Sequence, residues 1–215
     1  MERQPFAPIA QAEKRRFAPG EAAQPAQFSP GDFILTHSNS FYGWLIRFGQ
    51  RLRFRGEDRK YCWWNHAVVI ISTDGDLIEA LNAGVRRTNI TAYASTDYTL
   101  VHLQPSLADE HDRKQIAAFA NWCLGQPYGW FTIASIAFSL ITGGKFTFGF
   151  EGQSICSGLV ARSLERTSAI FNRTPSHIMP ADLAKYFQVE PPPPGSTIGT
   201  PPPPPPKFRH ASQPN

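Results

Sequence analysis

Gly152-Gln-Ser-Ile-Cys156-Ser-Gly-Leu-Val160 is the most informative stretch of this chain. Ser154 is a suitable N-cap, so the residues after it predict a helix that runs to about Thr167. Cys156 would then lie in the first turn, where unpaired backbone N–H groups and the helix dipole favour an anion. A thiolate there has a lowered pKa, and the same N–H groups can hold the oxyanion that forms when it attacks a carbonyl. This stretch alone leaves two interpretations equally open, a nucleophilic Cys156 and a buried core cysteine on an ordinary helix, and a nearby base is needed to decide between them.

The base for this thiol is predicted to be His66. It opens the apolar segment HAVVII, which predicts a buried strand, and the end of a strand holds a side chain rigidly. The alternative is a histidine that merely caps the strand or packs in the core. The remaining histidines fit the role of a base less well, and they are His37, His102, His111, His177 and His210.

Glu79 is predicted to orient the imidazole, because it is the only acid within the apolar segment 77–81. Asp74-Gly75 is a hairpin signal between this segment and the strand that His66 opens. A two-residue turn would set Glu79 opposite Ile70, on the same face as His66 but four residues away. A bulge or strand twist could shorten that gap. The alternative is an exposed charge on a strand.

The three cysteines allow other interpretations as well. An odd number leaves at least one thiol without a disulfide partner in the chain, and a reducing compartment would leave all three free. Cys62 and His66 have the spacing of zinc ligands, and Cys123 and Cys156 could complete a zinc site. No second close Cys/His pair supports that site, so we predict no metal and no other cofactor. Cys123 lies on the apolar stripe of a predicted helix, which indicates a buried structural thiol.

The predicted elements outline one folded domain over residues 28–189, rich in strands first and in helices later. Residues 1–27 are polar and rich in Ala and Pro, so we expect a disordered or loosely attached segment. Residues 190–215 form a Pro-rich tail that favours an extended spacer, with a ligand for a proline-binding partner as the alternative. Strands are predicted at 33–36, 66–71, 77–81 and 100–103, and helices at 41–50, 109–124, 154–167 and 181–187.

Charge and hydropathy exclude some classes of function. The net charge of +4 is scattered except for the basic run 47–60, which favours a solvated face, with an anionic membrane surface as the alternative. No reading helix or aromatic sheet surface is visible, so we expect no nucleic-acid partner. The apolar run 130–142 is too short to span a bilayer, so we predict a buried helix. The alternative is a helix that contacts a membrane surface or covers the substrate. With no signal-peptide pattern at the start, cytoplasmic residence is the default expectation.

Several motifs together resemble a known family. The segment Ile155-Cys-Ser-Gly-Leu-Val160 resembles the cysteine helix of the NlpC-type cell-wall peptidases. In those proteins the helix comes first, whereas here Gly31-Asp-Phe-Ile-Leu35 and Asn65-His-Ala-Val-Val-Ile-Ile71 precede it. This order is similar to that of the permuted papain-like YiiX-like hydrolases, with lecithin:retinol acyltransferase as a more distant relative. Further similar segments are Ile78-Glu-Ala80, Gln126-Pro-Tyr-Gly129 and Thr174-Pro-x4-Pro-Ala-Asp182.

The resemblance implies an α+β fold of the circularly permuted, papain-like NlpC type, in which an antiparallel sheet packs on the cysteine helix. It implies a cysteine hydrolase that cleaves an amide or ester bond of an acyl, peptide or lipid substrate through a thioester. The implied catalytic residues are Cys156, His66 and Glu79, and the implied substrate-binding residues are Asn65, Tyr128 and Ser157.

Two departures from the family pattern bear on function. Gly158 stands where the permuted branch commonly has Glu, and Gly129 stands where it often has Asp. Both departures concern substrate preference and efficiency rather than the three implied catalytic residues. They leave two alternatives beside the hydrolase. One is an acyltransferase of the same fold, and the other is a non-catalytic binding or scaffold protein.

Overall fold

A six-stranded antiparallel sheet forms the centre of the fold. The computed structural model describes residues 12–21, 27–81, 83–127, 156–165, 167 and 175–193. The strands lie in the spatial order β1-β6-β2-β3-β4-β5. Their bounds are β1 Ala12–Phe17, β2 Phe33–Thr36, β3 His66–Ile70, β4 Asp76–Leu81, β5 Gly84–Asn89 and β6 Tyr98–Leu103.

Helices cover one face of this sheet, which makes the protein a mixed α+β fold. The α-helices are α1 Phe41–Arg53, α2 Glu110–Trp122, α3 Cys156–Leu164 and α4 Pro180–Tyr186, and short 3₁₀ helices span Gly56–Trp63, Ile90–Tyr93 and Pro175–His177. Helix α3 packs directly on β3 and β4 and also contacts α2 and α4. No helix in the described ranges is long and apolar enough to cross a membrane.

Strand β3 is buried on both faces, which explains why its sequence is apolar without alternation. Ala67 and Val69 face the larger core cluster, together with the apolar residues of α2, α3 and α4. Val68 and Ile70 point to the opposite face and pack in a second cluster with Tyr93. Successive side chains of a strand alternate between faces, so a strand between two cores is apolar at every position. Only His66, at the partly buried start of β3, departs from this pattern.

The predicted elements in the described residues form close to their expected bounds, but two strands were not predicted. One of them, β1, lies within residues 1–27, so the expectation of a loose segment is wrong for Ala12–Phe17. That strand pairs along its length with β6, and the Phe17 ring stacks on Tyr98 at 5.0 Å between centroids. The other, β5, pairs with β4. Both are the edges of the sheet, where charged residues are common and the apolar pattern is weak.

Helix α1 approaches the chain before β3 very closely, and a glycine permits this approach. A Cβ atom on Gly43 would stand 2.4 Å from the Ser38 carbonyl oxygen and 2.8 Å from Asn65 Nδ2. By contrast, a Cβ atom on Gly49 of the same helix would meet nothing within 4 Å. The contact at Gly43 therefore fixes α1 next to the residue that precedes His66.

Replacing Gly43 by alanine should destabilise the protein, while the same change at Gly49 should not. We expect Gly43→Ala to lower the free energy of unfolding by about 1–3 kcal/mol, because α1 or the Ser38 loop must shift. Gly49→Ala should leave it unchanged or raise it by up to about 1 kcal/mol, since alanine is the better helix former. Urea unfolding followed by circular dichroism measures both, and equal stability of the two variants would contradict the packing described here.

Candidate active site

His66 and Glu79 lie side by side on neighbouring strands. Nε2 of His66, at the start of β3, is 3.1 Å from Oε2 of Glu79 on β4. The Glu79 side chain is 1% exposed and that of His66 is 13% exposed. The prediction that these two side chains meet is therefore matched by the geometry, and Glu79 is not an exposed strand charge.

The register between β3 and β4 differs from the one expected from a two-residue turn. Leu77, and not Glu79, pairs with Ile70, because the turn after β3 is longer than the Asp74-Gly75 pair alone. Residue Ile71 donates its N–H to the Asp76 carbonyl at 2.8 Å across this turn. The shift moves Glu79 two residues closer to His66 on the same face, and no bulge is needed.

Two residues that the sequence analysis did not single out hold the Glu79 carboxylate. The Tyr93 hydroxyl donates to Oε2 at 2.5 Å, and Arg86 Nε donates to Oε1 at 2.9 Å. Arg86 lies directly across from Glu79 in the β4–β5 pair. A signal for it existed, because residues 82–83 followed by Gly84 are typical of a tight turn. If Leu81 and Gly84 are paired across that turn, counting two residues outward along each strand places Arg86 opposite Glu79.

Cys156 begins helix α3 and is hydrogen-bonded to His66. Since Nε2 of His66 lies against Glu79, Nδ1 is the ring nitrogen left for the sulfur. Backbone groups of Ala67 and Ser157 also hydrogen-bond to the sulfur, and Cys156 is 2% exposed. The first N–H groups of α3 have no carbonyl partner within the helix, as at any helix start. The expected N-cap, Ser154, lies outside the described residues.

The pKa values of the three groups shift in the directions that favour charge. Burial would raise the pKa of Cys156, but the hydrogen bond and charge of His66 bring it below its ordinary value of 9.0. Burial would lower the pKa of His66, but hydrogen bonds to Cys156 and Glu79 raise it from 6.5 to about 10. Burial would raise the pKa of Glu79, but His66, Tyr93 and Arg86 lower it from 4.5 to about 2. All three shifts favour the charged forms, which are a thiolate, an imidazolium and a carboxylate.

The residues expected to bind substrate have other roles where they are described. The Asn65 amide is tied to Ser38, accepting its N–H at 2.8 Å and donating to its carbonyl at 2.7 Å. The Ser157 hydroxyl donates to the Ile178 carbonyl at 2.6 Å. Both side chains are buried, and these hydrogen bonds brace the loop before His66 and the start of α3. Tyr128 lies outside the described residues, as do Gly129 and the apolar run 130–142.

Two other histidines are held away from Cys156. His37 stacks on Trp63 at 4.2 Å between ring centroids, and its Nδ1 lies 2.7 Å from the Trp63 carbonyl oxygen. His102 Nδ1 lies 2.7 Å from Oδ2 of the buried Asp32, which also accepts a hydrogen bond from Arg113. Asp32, of the Gly-Asp segment, thus ties β2 to β6 and α2.

The zinc alternative gains no support from the arrangement of side chains. Across the ranges that the structure describes, no three His, Cys, Asp or Glu side chains are grouped so that they could hold a metal ion. Cys62 is buried in the 3₁₀ helix Gly56–Trp63, where burial raises the pKa of its thiol. Cys123 is fully buried in the main core beside α2, as the apolar stripe predicted.

Comparison with known proteins does not assign this chain to a family. No protein-family model matches the chain, and no curated protein matches it. The site must therefore be interpreted from its own residues.

Proposed function

We propose that this protein is a cysteine hydrolase that cleaves an amide or ester bond, with Cys156 as nucleophile, His66 as acid and base, and Glu79 as the residue that orients the imidazole. The observation that carries the proposal is the buried hydrogen-bonded row of these three side chains. A structural cysteine would need no imidazole, and an imidazole beside a thiolate seldom serves packing alone. The fold that we propose is the permuted papain-like arrangement, supported by the sheet, by His66 at a strand start and by Cys156 at a helix start.

The chemistry would run through a thioester. The Cys156 thiolate attacks the acyl carbon and forms a carbon–sulfur bond, while N–H groups at the start of α3 stabilise the oxyanion. The carbon–nitrogen or carbon–oxygen bond of the substrate then breaks, and the imidazolium of His66 gives its proton to the leaving amine or alcohol. The neutral imidazole next takes a proton from water, the resulting hydroxide attacks the thioester, and the acid leaves as the thiolate re-forms.

The test is to trap and locate the acyl group. We expect an activated acyl ester, such as p-nitrophenyl acetate, to add one acetyl group to Cys156, detected by peptide mass spectrometry after a rapid acid quench. The Cys156→Ala variant should take up none, whereas Cys62→Ser should acylate like the unaltered protein. Cys62 is a matched control because it is equally buried, 2% exposed, with a pKa that burial raises.

The fate of the acyl group separates the hydrolase from its alternatives. Loss of the acetyl group in water alone, with release of acetate, would support a hydrolase. Loss only after an amine or a lipid alcohol is added would support an acyltransferase of the same fold. If Cys156 takes up no acyl group at all, the catalytic proposal is wrong and a binding or scaffold role becomes the better interpretation.

A further inference from the structure

Helix α1 carries its aromatic residues on the side that faces away from the protein. Phe41, Trp44, Phe48 and Leu52 are 70%, 56%, 42% and 37% exposed. Their spacing of three and four residues places them on one side of the helix, and we call these four residues the aromatic face. The rings form a continuous row, with centroids 6.2 Å apart from Phe41 to Trp44 and 5.8 Å from Trp44 to Phe48. Together they form a contiguous apolar surface rather than single exposed residues.

The inner side of α1 buries two glycines and a glutamine and no large apolar side chain, unlike an ordinary surface helix. Gln50 is fully buried, and its Nε2 donates to the Trp64 carbonyl at 2.9 Å. The Oε1 atom of the same side chain accepts the Ala181 N–H at 2.9 Å, at the start of α4. Hydrogen bonds and the Gly43 contact therefore hold α1 in place. The aromatic face is not needed to attach the helix, so it is available for a partner.

Unpaired basic residues lie at the end of this helix and just beyond it. Arg51, Arg55 and Arg59 are exposed, and within the described part of the chain none of them has an ion-pair partner. The neighbouring Arg53 and Lys60 differ, because each is paired with a carboxylate. Glu57 is the exposed acid among these residues. The unpaired charge at this end of α1 is therefore mainly positive.

We propose that the aromatic face of α1, with these three arginines, binds an anionic lipid surface. Aromatic rings settle at the boundary between headgroups and acyl chains, and arginine attracts anionic headgroups. A second copy of the chain suits this face less well. A helix of 13 residues is roughly 20 Å long and about 10 Å wide, so the face covers roughly 200 Å². A stable protein interface buries about 800 Å² on each partner.

The test is sedimentation of the full chain with lipid vesicles. We expect binding to vesicles of phosphatidylcholine mixed with phosphatidylserine, and much weaker binding to phosphatidylcholine alone. The double change Trp44→Ser and Phe48→Ser should weaken binding at least about tenfold, because apolar area is lost from the lipid contact. Arg51→Gln and Arg55→Gln should each weaken it about fivefold and reduce its dependence on salt.

The matched control is Trp122→Ser, which removes from α2 a tryptophan that is more exposed, at 72%, than Trp44 at 56%. It should bind vesicles as the unaltered chain does. Equal loss in this control, equal binding to neutral vesicles, or no binding at all would overturn the proposal. So would a dimer of the free chain, seen by light scattering, that the Trp44 and Phe48 changes dissociate. The proposal is independent of the chemistry, so Cys156→Ala should bind vesicles normally whether or not the protein is a hydrolase.

Discussion

His66→Ala should abolish acylation of Cys156 and return the sulfur to its neutral thiol. Burial would raise the pKa of Cys156, and His66 supplies the largest of the effects that lower it. Without the imidazole, only the backbone hydrogen bonds of Ala67 and Ser157 still favour the thiolate. We therefore expect the acylation rate at pH 7 to fall by about four orders of magnitude, as when a member of a catalytic triad is removed.

The change in charge can be measured apart from the reaction. The ultraviolet absorbance of the thiolate, with Cys156→Ser as the blank, should show a thiolate in the unaltered protein at pH 7 and a thiol in His66→Ala. In the unaltered protein, the acylation rate should rise with pH through the lowered pKa of Cys156. It should decline again above about pH 10, where the imidazolium loses its proton.

His102 provides the matched control for this experiment. Its imidazole also lies beside a buried carboxylate, that of Asp32, but it is on β6 and makes no contact with Cys156. His102→Gln should leave both the thiolate absorbance and the acylation rate within a few fold of the unaltered protein. If His66→Ala behaves like this control, His66 is not the base, and the proposed function fails with it.

The three candidate catalytic residues could be predicted from the sequence because each differs from its surroundings. Each either lies at the end of a helix or strand, or is a charged residue within an apolar strand. His66 begins an apolar strand, Glu79 is an acid inside another, and Cys156 follows a helix cap. Such residues can be recognised in the sequence because buried segments are otherwise apolar. The sheet core was predictable for the same reason, since β2, β3 and β4 are mostly apolar.

The register between neighbouring strands, such as β3 and β4, could not be predicted from the sequence. Whether Glu79 reaches His66 depends on the number of residues in the turn before β4, and a change of two residues moves it along the strand by about 7 Å. Arg86 lies in the edge strand β5 and Tyr93 follows that strand. Both were missed because its polar sequence, GVRRTN, does not contrast with a loop. The inverted polarity of α1 escaped notice for a different reason. Helical spacing shows which residues share a face, but not whether that face points inward.

Glu79→Gln should weaken both the catalytic row and the fold. The carboxylate of Glu79 accepts hydrogen bonds from Tyr93, Arg86 and His66 in a buried place. An amide of the same shape carries no negative charge, so Arg86 loses this buried counter-ion and the His66 imidazolium keeps only the Cys156 thiolate. The pKa of His66 should fall, the thiolate should become less stable, and acylation should slow by about two to four orders of magnitude.

The stability effect has a defined dependence on pH. The pKa of Glu79 is lowered in the folded protein from 4.5 to about 2, so its stabilising effect is complete above pH 4.5 and is lost as the pH falls towards 2. A shift of this size corresponds to about 3 kcal/mol. The unaltered protein should therefore lose stability between pH 5 and about pH 2 more steeply than Glu79→Gln, which should be less stable at pH 7 by about that amount.

The control lies on the same two strands. Asp76 on β4 is paired with Arg87 on β5, but this pair is exposed, with side chains 30% and 54% accessible. Asp76→Asn should therefore cost less than about 1 kcal/mol and leave acylation unchanged, because solvent screens the pair. Urea unfolding at a series of pH values distinguishes the two variants. A Glu79→Gln protein that unfolds like Asp76→Asn at every pH would show that the buried carboxylate does not hold the imidazolium in place.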